Sequence, residues 1–257
     1  MEIAILQRLK PEADVGQYGA AYRFLEAAVG LAGVAMSVLA PVLSRSYSES
    51  RELLQRRTHR TFHLLLLIAL PVAVIGAMIA WRLLPALPGF ARFHGGGVAL
   101  SILAPTASLI LVGTIVQGLL VSGHEQRRLL VIASIGFILN LLLNIALIVP
   151  FSYVGAAIAT TLTEVGLVLV SLREVRRRLG LALVPPRTAN VIVATALLAL
   201  VTVPGFFVDP YAQLAIALVA YVPALLVTRA VRPADLRGLA RRDRPRPGAL
   251  EPSPPSA

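Results

Sequence analysis

Long apolar stretches alternate with short polar connections along this 257-residue chain. A transmembrane helix needs about 20 mainly apolar residues to cross the hydrocarbon core of a bilayer. The pattern therefore predicts an all-α, polytopic membrane protein with about seven transmembrane helices. These helices are expected over residues 18–44, 61–84, 97–122, 129–151, 153–172, 189–208 and 211–229.

The same pattern divides the chain into three parts. Residues 1–17 look like an extracytoplasmic remnant of a preceding helix and loop, and residues 18–229 are the predicted seven-helix transmembrane domain. Residues 230–257 are rich in Pro and Arg and have no apolar periodicity. We expect this last part to be a disordered, basic cytoplasmic tail.

The composition indicates that membrane lipid is the solvent of this chain. Hydrophobic residues make up 57% of it and charged residues only 14%, whereas about 25% of the residues of a soluble domain are charged. The net charge of +11 is typical of the cytoplasmic loops of a membrane protein. We therefore expect no nucleic-acid partner, and nucleic-acid binding is a weak alternative.

Arginine is distributed unevenly between the two ends of the predicted helices. The connections 45–60 and 173–188 hold five arginines each, and the part of the chain after Val227 holds seven. The connections at the opposite end hold Arg92 alone, with Arg82 at their boundary. Because basic loops stay in the cytoplasm, we predict a multi-pass protein with a cytoplasmic C-terminus, whose first helix runs from outside to inside.

No motif of covalent or metal-dependent catalysis is present in the sequence. It lacks a Walker phosphate loop, GxSxG, HExxH and a Gly-rich dinucleotide fingerprint, and it has no cysteine. His59 and His63 lie one helical turn apart, but a metal site needs more than two ligands. We therefore expect no enzyme, no cofactor and no metal. A membrane glycosyltransferase or ligase would need catalytic acids or larger extracytoplasmic loops than this chain has.

Five polar residues stand out because they lie inside the apolar stretches. Arg23 and Glu26 lie near the head of the first helix, Asn140 and Asn144 lie one turn apart in the fourth, and Glu164 lies in the fifth. Polar groups at membrane depth need partners and usually face the interior of a bundle. Each also has a structural interpretation: Arg23 snorkels to water, the asparagines make interhelical hydrogen bonds, and Glu164 is ion-paired in a packing contact.

Three stretches together resemble one family. "VGQYGAAYRFLEAAVGLAGVAMSVLAPVLSR" is similar to the eighth helix of lipid-linked oligosaccharide flippases, which include O-antigen, capsule and peptidoglycan precursor translocases. "GHEQRRLLVIASIGFILNLLLNIALIVPFSYVGAAIATTLTE" is similar to their tenth-to-twelfth helix region. The loop "LLPALPGFARF" is a weaker match, and the resemblance covers about residues 10–180. Multidrug and toxin extrusion transporters share part of these motifs.

The resemblance implies a fold of two inverted six-helix bundles around a cavity, followed by two further helices. This chain then corresponds to the last seven of fourteen helices, and an N-terminal helical bundle is missing. The implied function is translocation of an undecaprenyl-pyrophosphate-linked oligosaccharide across the bacterial cytoplasmic membrane by alternating access. The implied partners are that lipid-linked oligosaccharide and membrane lipid.

The resemblance also implies roles for single residues. Arg23 matches an arginine that faces the cavity and would bind the pyrophosphate, since guanidinium forks suit phosphate oxygens. Glu26 matches the acid one turn later and would hold Arg23 in an intrahelical contact. Asn140, Asn144 and Glu164 complete the candidate substrate-binding set. Two alternatives stay open: a multidrug or cation antiporter of the same superfamily, and a non-transporting membrane subunit of a glycan-assembly complex.

Overall fold

The computed structural model describes residues 1–185, 187–203 and 208–231, and all regular secondary structure among them is helical. Five of the helices are long and apolar enough to cross a membrane, and a sixth apolar helix is shorter. The prediction of an all-α, multi-pass membrane fold is therefore confirmed. The helices are α1 (Glu2–Leu9), α2 (Glu12–Glu49), α3 (Arg51–Ala86), α4 (His94–Ser122), α5 (Gln126–Arg178), α6 (Thr188–Thr202) and α7 (Pro210–Val227).

Helix α5 is a hairpin of two arms that meet at Ser152. This residue has φ 50° and ψ −131°, which is not helical backbone, and Pro150 lies two residues before it. The first arm therefore ends at residue 151 and the second begins at residue 153, where the sequence predicted two separate spans. With α2, α3, α4, α6 and α7, the two arms account for the seven predicted segments.

Helices α2 and α3 are longer than a bilayer is thick. They contain 38 and 36 residues, which correspond to about 57 and 54 Å at 1.5 Å per residue. Only Ser50 separates them, and its side chain caps α3 by accepting a hydrogen bond from the Leu53 amide at 3.1 Å. The predicted connection 45–60 is thus not a loop, because its polar residues continue both helices beyond the lipid.

Helix α4 lies at the centre and packs against α2, α3 and α5. Glycines on α4 allow the closest approaches, as small residues do between membrane helices. A Cβ atom at Gly97 would lie 2.7 Å from the Trp81 carbonyl oxygen on α3, and one at Gly118 would overlap Met36 on α2. These contacts fix α4 between its neighbours.

The structure describes the two predicted ends of the chain to different extents. Residues 1–17 are almost entirely helical, because α1 is separated from α2 only by Lys10 and Pro11. Their assignment as a remnant of a preceding helix stays a prediction. Of the predicted tail 230–257, the structure describes only Ala230 and Val231, so the expected disorder falls outside the described residues. The Ala230 carbonyl accepts a hydrogen bond from His63 Nε2 at 2.8 Å.

Candidate functional site

Helix α2 has one packed face and one open face. Tyr18, Ala21 and Leu25 are buried on the packed face, whereas Arg23 and Glu26 are exposed. Glycines flank the two charged residues, and Cβ atoms built on them would meet nothing within 4 Å. These glycines are Gly19, Gly30 and Gly33.

The contact that the resemblance implied between Arg23 and Glu26 is not formed. In the described part of the chain, ion pairs within 4.0 Å join Glu52 to Arg56 and Glu174 to Arg178, and the terminal amine to Glu2. Arg23 and Glu26 are both exposed, and an exposed ion pair gains little over separate solvation. The Arg23 guanidinium is therefore available to an external anion.

A polar cavity of about 400 Å³ lies between α2, α4 and the two arms of α5. It brings together Asn140 and Glu164 from the predicted set. Neither Arg23 nor Glu26 lines it, and Asn144 lies behind its wall. The other polar side chains that line the cavity are those of Glu2, Tyr22, Gln117, Thr160 and Thr163.

Hydrogen bonds fix the two asparagines. Asn140 Nδ2 donates to Thr163 Oγ1 at 3.2 Å, which joins the arms of α5. Asn144 Nδ2 donates to the Asn140 carbonyl at 2.8 Å and to Asn140 Oδ1 at 3.1 Å. Asn144 is fully buried, and its Oδ1 atom has no partner. The interhelical hydrogen bond expected for Asn140 is therefore present, whereas Asn144 supports Asn140 from within its own arm.

Glu164 is half-buried and makes no ion pair within 4.0 Å with another described residue, so the expected ion-paired packing contact is not seen in this part of the chain. It shares the cavity with Glu2, and no arginine or lysine among the described residues lines this space. Because Glu2 is paired with the terminal amine at 3.4 Å, the acidity of the cavity rests on Glu164. A cationic group or an exchangeable proton suits such a space better than a phosphate does.

Sequence reasoning missed Glu2, Tyr22 and Thr163 as cavity residues. No pattern in the sequence places Glu2 in the cavity, because its position depends on how α1 packs against α5. Tyr22 adjoins Arg23 in the motif, but its direction depends on the packed face of α2. Thr163 had a usable signal, since it lies 11 residues after Ser152 and Asn140 lies 12 residues before it. Residues at nearly equal distances from a hairpin turn lie close to each other across the two arms.

An apolar groove of about 510 Å³ lies on the other side of α2, among α3, α4 and α7. Ile75 and Ile79 of α3, Leu103 of α4 and Leu218 of α7 form much of its wall. The apolar groove and the polar cavity share the Leu25 side chain of α2 as a common lining residue.

His59 and His63 bond to backbone carbonyls at separate places in the fold. His59 Nε2 lies 2.5 Å from the Ala182 carbonyl oxygen, so the ring packs on the loop after α5. No group of three or more His, Cys, Asp or Glu side chains that could hold a metal ion occurs among the described residues.

Comparisons with known proteins agree with this fold. The model of the family described as "Lipid II flippase MurJ" matches residues 14–227. A solved structure, "Lipid II flippase MurJ, inward closed conformation", superposes with a TM-score of 0.70 at 16% sequence identity. The match covers 89% of this chain and 48% of the solved one, so this chain spans about half the length of that flippase. No curated protein sequence matches the chain.

Proposed function

Because the chain belongs to the family of the lipid II flippase MurJ, we propose that it is a membrane transporter for lipid-linked, sugar-bearing pyrophosphates. It acts as one half of a flippase in the cytoplasmic membrane, with its arginine-rich end and its C-terminus in the cytoplasm. The proposed activity is translocation of an amphiphilic lipid and not a covalent reaction. The lipid is an undecaprenyl pyrophosphate, and its glycan is an oligosaccharide of the cell envelope.

The observation that carries this proposal is Arg23, which is exposed on a membrane-spanning helix and makes no ion pair within 4.0 Å among the described residues. Arg23 lies about 7 Å into the predicted span, at 1.5 Å per residue. A guanidinium at that depth is costly unless water or an anion reaches it. A pyrophosphate supplies that anion, and it accepts two parallel hydrogen bonds from the guanidinium fork.

The sugars and the polyprenyl tail of the ligand fit the other surfaces around α2. The flanking glycines leave room for sugars next to Arg23, and Glu26 accepts hydrogen bonds from sugar hydroxyls. The polyprenyl tail suits the apolar groove beyond Leu25, whose wall is formed by aliphatic side chains. A polar head and an apolar tail can thus be held by opposite sides of one helix.

The open face of α2 requires a second wall. We propose that an N-terminal helical bundle, supplied by a longer form of this chain or by a second protein, covers Arg23 and Glu26. The chain spans about half of the solved flippase, which is consistent with such an arrangement. Co-purification of a separately encoded helical bundle with this chain would identify the second wall.

Binding of undecaprenyl pyrophosphate to the purified chain tests the role of Arg23. A hydrogen bond to a charged group contributes about 1.5–3 kcal/mol, so Arg23→Ala should weaken binding roughly 10- to 100-fold. Arg23→Lys should bind with intermediate affinity, because it keeps the charge but loses the fork. The matched control is Arg8→Ala, which removes an exposed arginine of α1.

The uncharged alcohol undecaprenol distinguishes the head group from the tail. It should bind equally to the wild type and to Arg23→Ala, since it has no phosphate. Equal binding of the pyrophosphate to the wild type and to Arg23→Ala would contradict the proposal.

A second candidate function is favoured by the acidic cavity. Glu164 and Glu2 line one space, and no basic side chain among the described residues lines it. This arrangement suits a drug or cation antiporter of the same superfamily. Uptake of an organic cation into vesicles that carry the chain, abolished by Glu164→Gln, would support that function over the flippase.

A further inference from the structure

A separate cavity of about 520 Å³ lies at the arginine-rich end of the molecule, between the end of α5 and the segment after it. It shares no lining residue with the polar cavity or the apolar groove. One wall carries two guanidinium groups, and the remainder of the lining is largely apolar. The residues that line it include Leu172, Arg173, Arg176, Leu181, Leu183 and Val184. We call this space the interfacial groove.

The segment that forms one wall of the interfacial groove is held in place. Gly180 has φ 61° and ends α5 in the left-handed conformation that glycine favours. Arg51 Nη2 donates to the Gly180 carbonyl at 2.9 Å. The Gln55 side chain accepts from the Ala182 amide at 3.0 Å and donates to the Ala182 carbonyl at 2.5 Å. Leu181 and Leu183 are buried in the core, so the groove is preformed.

An exposed apolar stripe on the second arm of α5 leads into this groove. Leu162 and Leu169 are 50% and 61% exposed, and Arg173 follows Leu169 by one helical turn on the same face. Arg176 continues that face, seven residues after Leu169. The stripe therefore presents hydrocarbon along the membrane and ends at two cations.

The depth of Arg173 matches the level of lipid phosphates. The second arm runs 21 residues from Ser152 to Arg173, or about 31 Å at 1.5 Å per residue. The hydrocarbon core of a bilayer is about 30 Å thick. With Ser152 at one surface, Arg173 therefore lies at the head groups of the opposite leaflet.

The two arginines of the groove are uncompensated. Neither makes a hydrogen bond or an ion pair in the described part of the chain, and both are exposed. Glu174, the acid between them, is paired with Arg178 at 3.6 Å. The groove therefore presents two unpaired positive charges beside an apolar wall.

We infer that the interfacial groove binds an anionic diacyl phospholipid of the leaflet at the arginine-rich end. The phosphate lies between Arg173 and Arg176, and one acyl chain follows Leu172, Val184 and the exposed stripe. This site is independent of the proposed transport site on α2. It holds the end of α5 at a fixed depth in the membrane.

Native mass spectrometry of the purified chain in detergent, titrated with dioleoyl phosphatidylglycerol or dioleoyl phosphatidylcholine, tests this inference. The wild type should bind phosphatidylglycerol in preference. Because both arginines of the groove contact the same lipid phosphate, each should contribute about fivefold to its affinity, so R173Q/R176Q should weaken binding of phosphatidylglycerol by roughly 30-fold. The control R127Q/R128Q removes two exposed arginines at the same end of the molecule, outside the groove, and should leave binding unchanged.

Three results would overturn the inference. The first is equal binding of phosphatidylglycerol and phosphatidylcholine to the wild type. The second is an equal loss of phosphatidylglycerol binding in R173Q/R176Q and R127Q/R128Q, which would indicate general surface charge. The third is competition by soluble glycerol 3-phosphate at the concentration of the lipid, because the occupant would then be a free phosphate. Substituting Val184→Asn should weaken lipid binding without changing any charge, which supports an acyl chain in the groove.

Discussion

Asn140 of the first arm of α5 donates a hydrogen bond from Nδ2 to Thr163 Oγ1 of the second arm at 3.2 Å. Asn144 supports this pair from one turn away, because it donates to both the carbonyl and the Oδ1 atom of Asn140. The chain thus links the two arms at membrane depth through an amide whose orientation is fixed. The wall of the polar cavity is therefore rigid at Asn140.

Removing the acceptor of this bond should destabilise the hairpin. Interhelical hydrogen bonds in membrane proteins contribute on average about 0.6 kcal/mol and at most about 1.7 kcal/mol. We expect Thr163→Val, which keeps the shape of the side chain, to lower the free energy of unfolding by about 0.5–1.5 kcal/mol. Reversible unfolding in mixed micelles measures this change.

The control for that substitution is Thr114→Val, since the bond that the Thr114 hydroxyl makes among the described residues is to the Ile110 carbonyl of its own helix. If Thr163→Val and Thr114→Val lowered the free energy of unfolding equally, the hydrogen bond between the arms would add no stability beyond that of a hydroxyl bonded within its own helix.

The sequence predicts the transmembrane segments well because each depends on local composition. The break at Ser152 lies between the predicted spans 129–151 and 153–172, next to Pro150. The helical continuation through residues 45–60 was not predicted, because a polar helix outside the lipid has no apolar stretch to mark it. Ser50 and its cap alone separate α2 from α3 there.

The candidate site was predicted less completely, since its geometry depends on packing between helices. Five polar residues were expected to form one site, but the structure places Arg23 and Glu26 on the open face of α2 and Asn140 and Glu164 in the polar cavity. Which face of α2 is packed follows from contacts of Tyr18 and Leu25 with other helices. A local sequence pattern does not predict those contacts, because they are made with other helices.

Helix α4 should not tolerate a side chain at Gly97. A Cβ atom there would lie 2.7 Å from the Trp81 carbonyl oxygen, which is backbone and cannot move aside. We expect Gly97→Ala to lower the free energy of unfolding by about 1–3 kcal/mol, as overpacking does. The thermal unfolding midpoint in detergent, measured beside that of the wild type, reports this change.

Gly30→Ala is the matched substitution in open space, because a Cβ atom at Gly30 meets nothing within 4 Å. It should stabilise the helix by up to about 1 kcal/mol, since alanine favours helix over glycine. A midpoint for Gly97→Ala as high as that for Gly30→Ala would contradict the close approach of α3 and α4.

Gln17 should stabilise the contact between α2 and the connection that joins α3 to α4. Its Nε2 atom donates to the Arg92 carbonyl at 3.0 Å, and its Oε1 atom accepts from the Gly96 amide at 2.7 Å. Gln17→Ala leaves both backbone groups without a partner, which should cost about 1–3 kcal/mol in unfolding free energy. Gln7→Ala removes an exposed glutamine of α1 and should have little effect. Proteolysis at the connection should become faster in Gln17→Ala alone.

Ser152 has a strained backbone and a side chain that makes a hydrogen bond. Two substitutions separate the effects of these two features on stability. Its Oγ atom donates to Asp14 Oδ2, while its φ of 50° favours glycine. Both Ser152→Ala and Ser152→Gly lose the hydrogen bond, but only glycine relieves the strain, which costs about 1–3 kcal/mol. Ser152→Gly should therefore be the more stable of the two by about that amount. If unfolding in mixed micelles gave equal free energies for both variants, the turn of α5 would not hold Ser152 in the left-handed region.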